Sequence, residues 1–421
     1  MNQSPQRLVA GLDIGSAKTT AIIAEVVGNL PKHPTIKVLG VGQARTTGMR
    51  RGVVSDIEET TRSIKKAMQD AERMAGAQVQ EVYAGIAGEH VQAMTSKGIV
   101  AVSHDEINKS DVDRANEVAR AQSIPPDREL LHAIPQEYTV DKDMGIRDPI
   151  GMSGTRLETE MYLVTIGSSP AINLRKSVER AGYKVRELVL EPLASALAVL
   201  TEDEKELGVA LVEMGAGTTD LAVFHEGKIR HLGTVAFGGN NVTSDIVHGL
   251  GVTQVDSERL KERYGCAYEP MVDPSDVIQL PSTVAQGDRQ IPRELLAHII
   301  HQRMDEIFDL VQRDIASAGY AGKLSAGIVL TGGAAAMLGA AELASDVFGT
   351  GVRVGIPSEN ISGLVDSVEA PRFATVTGLA QYGANRIALG GAAAGARRVK
   401  IGGAGMDKIV AQIKFWLQDF F

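Results

Sequence analysis

Twice in this chain an apolar strand ends in an acidic residue, turns through glycine and hydroxyl residues, and returns as a second strand. The first copy is Leu8-Val9-Ala10-Gly11-Leu12-Asp13-Ile14-Gly15-Ser16-Ala17-Lys18-Thr19-Thr20, leading into Ala21 to Val27. The second is Val209-Ala210-Leu211-Val212-Glu213-Met214-Gly215-Ala216-Gly217-Thr218-Thr219-Asp220, leading into Leu221-Ala222-Val223-Phe224. Glycine lets backbone N–H groups converge on a phosphate with no Cβ in the way, hydroxyls add donors, and a carboxylate can hold Mg²⁺ through its waters. A plain hairpin with a glycine turn accounts for either copy alone. Two copies at equivalent places point to a duplication with both turns facing one ligand. A third segment, Gly327-Ile328-Val329-Leu330-Thr331-Gly332-Gly333-Ala334-Ala335, reads as a buried strand, a glycine pair and then a helix over Met337 to Phe348. That arrangement allows close backbone approach to a ligand at a helix start.

The chain has 421 residues, more than one core usually supports, so two or more domains are expected. With 44% hydrophobic and 23% charged residues it is of ordinary globular composition. A net charge of −9 argues against nucleic-acid binding, which needs clustered Lys and Arg. Cys266 is the one cysteine, so no intrachain disulfide forms and a reducing compartment is favoured. Met1 to Arg7 is polar, no signal peptide is expected there, and no stretch reaches 18 uninterrupted apolar residues. The nine histidines are scattered without metal spacing.

Three further segments stand apart. Residues 84–160 interrupt the first half as a small α/β unit. Ser110 is its expected helix N-cap with Asp113 completing the box; the helix runs to about Ser123, before Pro125-Pro126, and strands flank it at Gly98–Ser103 and Leu130–Val140. Residues 245–313 form a smaller insertion with a short helix from Ser257 to Gly265, Pro270, Pro274, Pro281 and Pro292 in a polar loop, and a helix from Arg293 to Ile315 exposing His301, Arg303 and Asp305. Residues 390–404 are rich in Gly and Ala and read as a flexible linker. In 405–421, Met406, Ile409, Val410, Ile413, Trp416, Leu417 and Phe420 fall in one stripe at 100° per residue, with Asp407, Lys408, Gln412, Gln418 and Asp419 opposite and Phe415 breaking the pattern. This is the composition of a helix lying in a membrane interface, where Trp seeks the headgroup boundary and Lys408 and Lys414 reach anionic lipid. Docking on the protein's own core is the other fate of such a helix.

The two hairpin loops and Thr331-Gly332-Gly333-Ala334 resemble, in order, the two phosphate motifs and the adenosine motif of the actin, sugar-kinase and heat-shock-chaperone superfamily. Glu191-Pro192-Leu193-Ala194-Ser195-Ala196 and Thr375-Val376-Thr377-Gly378-Leu379-Ala380 are similar to its connecting motifs. Within it the chain resembles the FtsA family of bacterial cell division, on Leu12-Asp13-Ile14-Gly15-Ser16, Phe237-Gly238-Gly239-Asn240 with Val242-Thr243-Ser244-Asp245-Ile246, and Leu260-Lys261-Glu262-Arg263-Tyr264-Gly265. The resemblance implies an α/β, actin-like duplicated ribonuclease-H-type fold, two lobes around a nucleotide cleft, with an inserted small α/β subdomain. Its subdomains would be 1–83 with 161–206, the insertion 84–160, 207–244 with 314–389, and 245–313, then the linker and the membrane-targeting helix.

The same resemblance implies ATP and Mg²⁺ as cofactors. Asp13 would organise the metal through water, with Glu191 near the metal-bound waters and Glu213 at the head of the second phosphate loop. Gly15, Ser16, Ala17 and Lys18 would meet the phosphates from one side, and Gly215, Gly217, Thr218 and Thr219 from the other. Gly238, Gly239 and Asn240 would close on the nucleotide, Glu258 and Lys261 touch adenine and ribose, and Gly332, Gly333 and Ala334 pass under the adenosine. Most relatives carry Asp where Glu213 stands, so rapid hydrolysis is in doubt and ATP is expected to act as an assembly ligand. Partners implied are the FtsZ C-terminal tail, near Arg303; copies of the chain in a filament; anionic lipids of the inner membrane; and other division proteins at the insertion. A metabolic kinase would need a catalytic base and a polar sugar cleft, for which no pair of residues is evident. A PilM-like pilus-assembly protein would share the insertion but normally lacks the apolar tail.

Overall fold

The computed structural model of the chain describes residues 7–29, 33–280 and 289–396. β1 (Leu8–Ile14), β2 (Lys18–Asn29) and β3 (His33–Arg45) form an antiparallel meander, with Asp13 opposite Thr20 and Ile14 opposite Thr19 across the first turn. A two-rung hairpin of β4 (Met49–Arg50) and β5 (Val53–Val54) leads to α1 (Ile57–Ala75). Asp56 caps α1 by accepting the Glu59 N–H at 3.0 Å, and Gly76 ends it at φ 62°. β6 (Glu81–Ile86) then runs parallel to β1.

The insertion follows as β7 (Gln92–Ala101), α2 (Lys109–Arg120), β8 (Arg128–Val140), β9 (Asp143–Ile146) and β10 (Arg156–Gly167), in sheet order β7-β10-β8-β9. Its own core includes Ile107, Val112, Ala115, Tyr138 and Leu157. Its first strand spans Gln92–Ala101 rather than Gly98–Ser103, and three further details differ from the sequence reading. The cap is Asn108, whose Oδ1 accepts the Ser110 N–H at 2.8 Å while Asp111 Oδ2 accepts the Asn108 N–H at 3.0 Å. Ser110 therefore lies inside the helix, because burying Val112, Ala115 and Ala119 together fixes its start two residues earlier. The helix ends at Arg120 rather than Ser123, and β10 carries the insertion's sheet past residue 160 to Gly167.

The chain returns through α3 (Ser168–Arg180) to β11 (Lys184–Leu190), which adds parallel to β6. α4 (Glu191–Val199) and α5 (Glu202–Leu207) then cross to the second lobe. There β12 (Val209–Met214), β13 (Thr219–His225) and β14 (Lys228–Val235) repeat the meander, with Glu213 opposite Asp220 and Met214 opposite Thr219. α6 (Gly239–Leu250), α7 (Gln254–Tyr264), the hairpin of β15 (Val277–Leu280) and β16 (Arg289–Pro292), and α8 (Arg293–Ser317) build the smaller subdomain. α7 starts at Gln254, not Ser257, because the Thr253 hydroxyl accepts the Asp256 N–H at 3.1 Å; Ser257 is buried within it.

β17 (Ile328–Thr331) and β18 (Val352–Val354) complete the second sheet around α9 (Ala340–Phe348). A 3₁₀ turn over Ala334–Ala336 follows the glycine pair, and the helix expected over Met337 to Phe348 is α9, which begins at Ala340 after Gly339 at φ 78° and ends at Phe348 as expected. β19 (Ile361–Gly363) joins the outer edge of β3, and α10 (Ala374–Ala396) returns onto the first sheet. The helix enters the stretch read as linker (390–404) because Ala, the best helix former, dominates Ala392 to Ala396.

The two sheets, β11-β6-β1-β2-β3-β19 and β14-β13-β12-β17-β18, share one plan: an antiparallel meander extended by two parallel strands. The duplication inferred from the glycine turns is thus a duplication of topology. α4 and α10 cross between the lobes at contact distance: a Cβ on Gly378 would stand 1.7 Å from the Ala194 carbonyl oxygen, so no larger residue fits. Among the described residues no helix is long and apolar enough to cross a membrane. Lys408, Ile409, Ile413, Lys414, Trp416, Leu417 and Phe420, expected from the sequence to face a membrane, lie outside the described residues.

Candidate functional site

Both glycine turns close alike, Gly15 N–H donating to Lys18 O at 3.1 Å and Gly215 N–H to Thr218 O at 2.9 Å. They face each other across the lobes. A Cβ on Gly217 would lie 2.7 Å from Ser16 Oγ and 3.1 Å from the Arg51 backbone. Ser16 Oγ also accepts the Gly52 N–H at 3.3 Å, so the tip of the β4–β5 hairpin completes the floor. Above these turns opens a cavity of about 620 Å³, within the size range of small-molecule sites.

Asp13, Gly15, Ser16, Ala17 and Lys18 border this cavity from the first lobe, with Glu191 beside them. Glu213, Gly215, Gly217 and Thr218 border it from the second. Gly239, Asn240, Glu258 and Lys261 line the small-subdomain side, and Gly332, Gly333 and Ala334 the remaining wall. Gly332 holds φ 86°, and a Cβ there would lie 2.5 Å from Met214 O, so the turn after β17 needs glycine.

Two expected residues stand outside. Thr219 is fully buried and its hydroxyl donates to Phe237 O at 2.9 Å, because strand alternation turns it away from the face that carries Thr218 and Asp220. Gly238 is the residue before α6, its N–H donating to Asn241 Oδ1 at 3.0 Å, packed against Ala216 rather than the cavity. The sequence reading missed Asp220, whose two-residue spacing from Thr218 was the available signal, and Arg263, Arg372 and Thr375, which only folding brings here.

The acids of the cleft dominate its electrostatics. Burial raises Asp13 to about 7 and Asp220 to about 6, the latter despite donation by Thr234 (2.7 Å) and Thr218 (2.9 Å). Burial carries Glu213 up to about 8, against the hydroxyls of Thr375 and Ser195. Glu191 is pushed well up by burial and then by the charges of Asp13, Glu213 and Asp220. Among the described residues no group of three or more His, Cys, Asp or Glu side chains could hold a metal ion directly.

A pH dependence follows. These folded-state values lie above the ordinary 3.8 for Asp and 4.5 for Glu, so the folded protein prefers the protonated acids. Their contribution to stability is present below those unfolded values and is lost progressively as pH rises from them to the folded values of about 6 to 8. Thermal melts of protein stripped of nucleotide and metal should fall over that interval, and the fall should flatten when a divalent cation and nucleotide are added.

Glu258 and Lys261 pair at 2.8 Å, and Lys261 Nζ also donates to Gly239 O at 3.0 Å and Thr243 Oγ1 at 2.7 Å. Arg303, away from this cavity, is engaged within the fold. It makes a forked pair with Asp245 (2.6 and 3.2 Å), meets Glu306, and stacks 5.4 Å above the Phe237 ring. Charge reversal at Arg303 would therefore break the α6–α8 clamp, so weakened binding of a partner peptide would not by itself assign a contact.

A duplicated meander-plus-parallel-strands plan around a cleft of opposed glycine turns defines an actin-like ATPase fold with an inserted subdomain. Solved structures agree: the chain is similar to the PilM–PilN type IV pilus biogenesis complex (TM-score 0.63, 16% identity, 90% of this chain and 99% of that chain). It is also similar to MreB5 of Spiroplasma citri bound to ADP (TM-score 0.55, 15% identity, 91% and 97%) and to the MamK double helical filament (TM-score 0.51, 12%, 89% and 98%). Residues 210–378 match the family "Cell division protein FtsA", and 88–165 match "SHS2 domain inserted in FTSA". Cell division protein FtsA of Pseudomonas aeruginosa is 41% identical over 377 residues, covering 90% of this chain and 89% of that protein. FtsA of Escherichia coli K12 is 39% identical over 385 residues, covering 90% of each. The chain belongs to the FtsA family of cell division proteins.

Proposed function

We propose that this family member holds ATP with Mg²⁺ in the cleft and assembles with copies of itself on the cytoplasmic face of the inner membrane at the division site. There it tethers the FtsZ ring through the FtsZ C-terminal tail and recruits later division proteins through the insertion. The observation that carries the nucleotide reading is the meeting of the two glycine turns: Ser16 and Gly217 approach so closely that one phosphate chain would touch both lobes. Asp13 would hold the metal through water, with Glu191 and Asp220 nearby; Lys18 and Arg372, exposed at the rim, offset phosphate charge. The metal supplies charge neutralisation of the phosphates. The protein supplies the backbone donors and the exclusion of water.

Self-assembly is supported by the shared fold of the MamK filament, and membrane attachment by the apolar stripe of 405–421. ATP acts mainly as an assembly ligand, and turnover is slow. The test is an equilibrium titration of the full chain with a fluorescent ATP analogue, with and without Mg²⁺. Saturable binding that Mg²⁺ strengthens and unlabelled ATP reverses is expected; absence of binding under both conditions removes the nucleotide from the reading.

A further inference from the structure

Glu213 borders the cavity, yet its carboxylate is committed elsewhere. Ser195 Oγ donates to Glu213 Oε2 at 2.9 Å and Thr375 Oγ1 donates to Oε1, with the two hydroxyl oxygens 3.1 Å apart. All three residues are buried, with 7% of Glu213, none of Ser195 and 5% of Thr375 exposed. Ser195 stands on α4, the crossing from the first lobe to the second, and Thr375 on α10, the return crossing. Glu213 comes from the second lobe's central strand. One carboxylate thus ties a sheet to both interlobe helices, beside the point where Gly378 and Ala194 touch.

The same helix turn links this ring to the cavity. Glu191 and Ser195 are four residues apart on α4 and share a face, and Glu191 reaches the cavity near Asp13. Rotating α4 would carry Glu191 with it. An aspartate at 213 would draw both oxygens back by one C–C bond, about 1.5 Å, beyond hydrogen-bond reach of two helices at once.

We propose that Glu213 is a positioning residue: it pins the crossing of α4 and α10, and so sets Glu191 and the relation of the lobes, rather than organising the metal as Asp13 would. The consequence for nucleotide rests on the reading above; the pin itself does not.

The full chain decides between these roles. Hydrogen–deuterium exchange over 193–200 and 374–380 is measured without nucleotide for the wild type, Ser195→Ala, Thr375→Val, Glu213→Gln and Thr375→Ser. Ser195→Ala, Thr375→Val and Glu213→Gln should each raise exchange in both helices together, by roughly tenfold. Thr375→Ser keeps the hydroxyl and should hold exchange near the wild-type rate. ATP-analogue affinity is then measured with and without Mg²⁺. The three weakening substitutions should raise Kd by the same factor in both conditions, whereas Asp13→Asn should remove the Mg²⁺-dependent gain. The proposal is overturned if Glu213→Gln removes only the Mg²⁺-dependent gain while Ser195→Ala and Thr375→Val leave exchange within twofold. Thr375→Ser behaving like Thr375→Val also overturns it. A wild type that binds no ATP would defeat the nucleotide reading and leave the exchange arm to decide on the pin.

Discussion

Replacing Gly217 by valine is expected to abolish measurable nucleotide binding while leaving the ligand-free melting temperature nearly unchanged. The Cβ of any side chain at 217 would lie 2.7 Å from Ser16 Oγ and 3.1 Å from the backbone of Arg51. These atoms belong to the opposite lobe, so the clash is relieved by parting the lobes and not by unfolding either one. Within one core such overpacking costs about 1–3 kcal/mol. Here that strain opposes the closure that brings both turns onto one phosphate chain, and the branched side chain also blocks the approach of backbone donors. About 3 kcal/mol corresponds to more than a hundredfold in Kd. Gly351→Ala is the control, because a Cβ at 351 meets nothing within 4 Å. Titration with a fluorescent ATP analogue and a thermal melt decide the matter. A Gly217→Val protein that binds like the wild type would mean that nucleotide does not span the two turns.

Deleting residues 405–421 is expected to remove attachment to anionic vesicles at least tenfold while sparing nucleotide binding. At 100° per residue the segment would place Met406, Ile409, Val410, Ile413, Trp416, Leu417 and Phe420 on one stripe. Full burial of each is worth about 1.5–3 kcal/mol, and partial immersion leaves roughly 1 kcal/mol apiece. Ordering a short helix takes part of that gain back. Lys408 and Lys414 add about 1 kcal/mol each near acidic headgroups, partly offset by Asp407 and Asp419. A single helix should therefore bind reversibly, and self-assembly should make attachment firm by placing many helices on one surface. Vesicle sedimentation across protein concentrations checks both parts. Deletion without effect, or strong binding that persists when assembly is blocked, would contradict them.

By itself the sequence determined the two strand–glycine–strand units, the strand with Gly332-Gly333, and the inserted α/β unit, because strand alternation and turn chemistry act within a few residues. The positions of Asp13, Gly15, Ser16 and Gly215 on one cavity were legible for that reason, once the duplication had been recognised, whereas Lys261 was placed there only by the family resemblance. Local competition blurred the edges: Asn108 and Ser110, or Thr253 and Ser257, are all good helix caps, and burial of Val112 and Leu260 chose among them. The role of Glu213 was decided only in three dimensions. Its partner Thr375 is 162 residues distant, and Ser195 and Thr375 meet across 180 residues. Arg303, placed by the resemblance near a partner's tail on the exposed face of its helix, is bound to Asp245 across 58 residues for the same reason. Pattern tells which faces are apolar and which turns are tight. Which helix crosses which loop, and so which polar groups must satisfy one another out of water, was decided by packing the two lobes together.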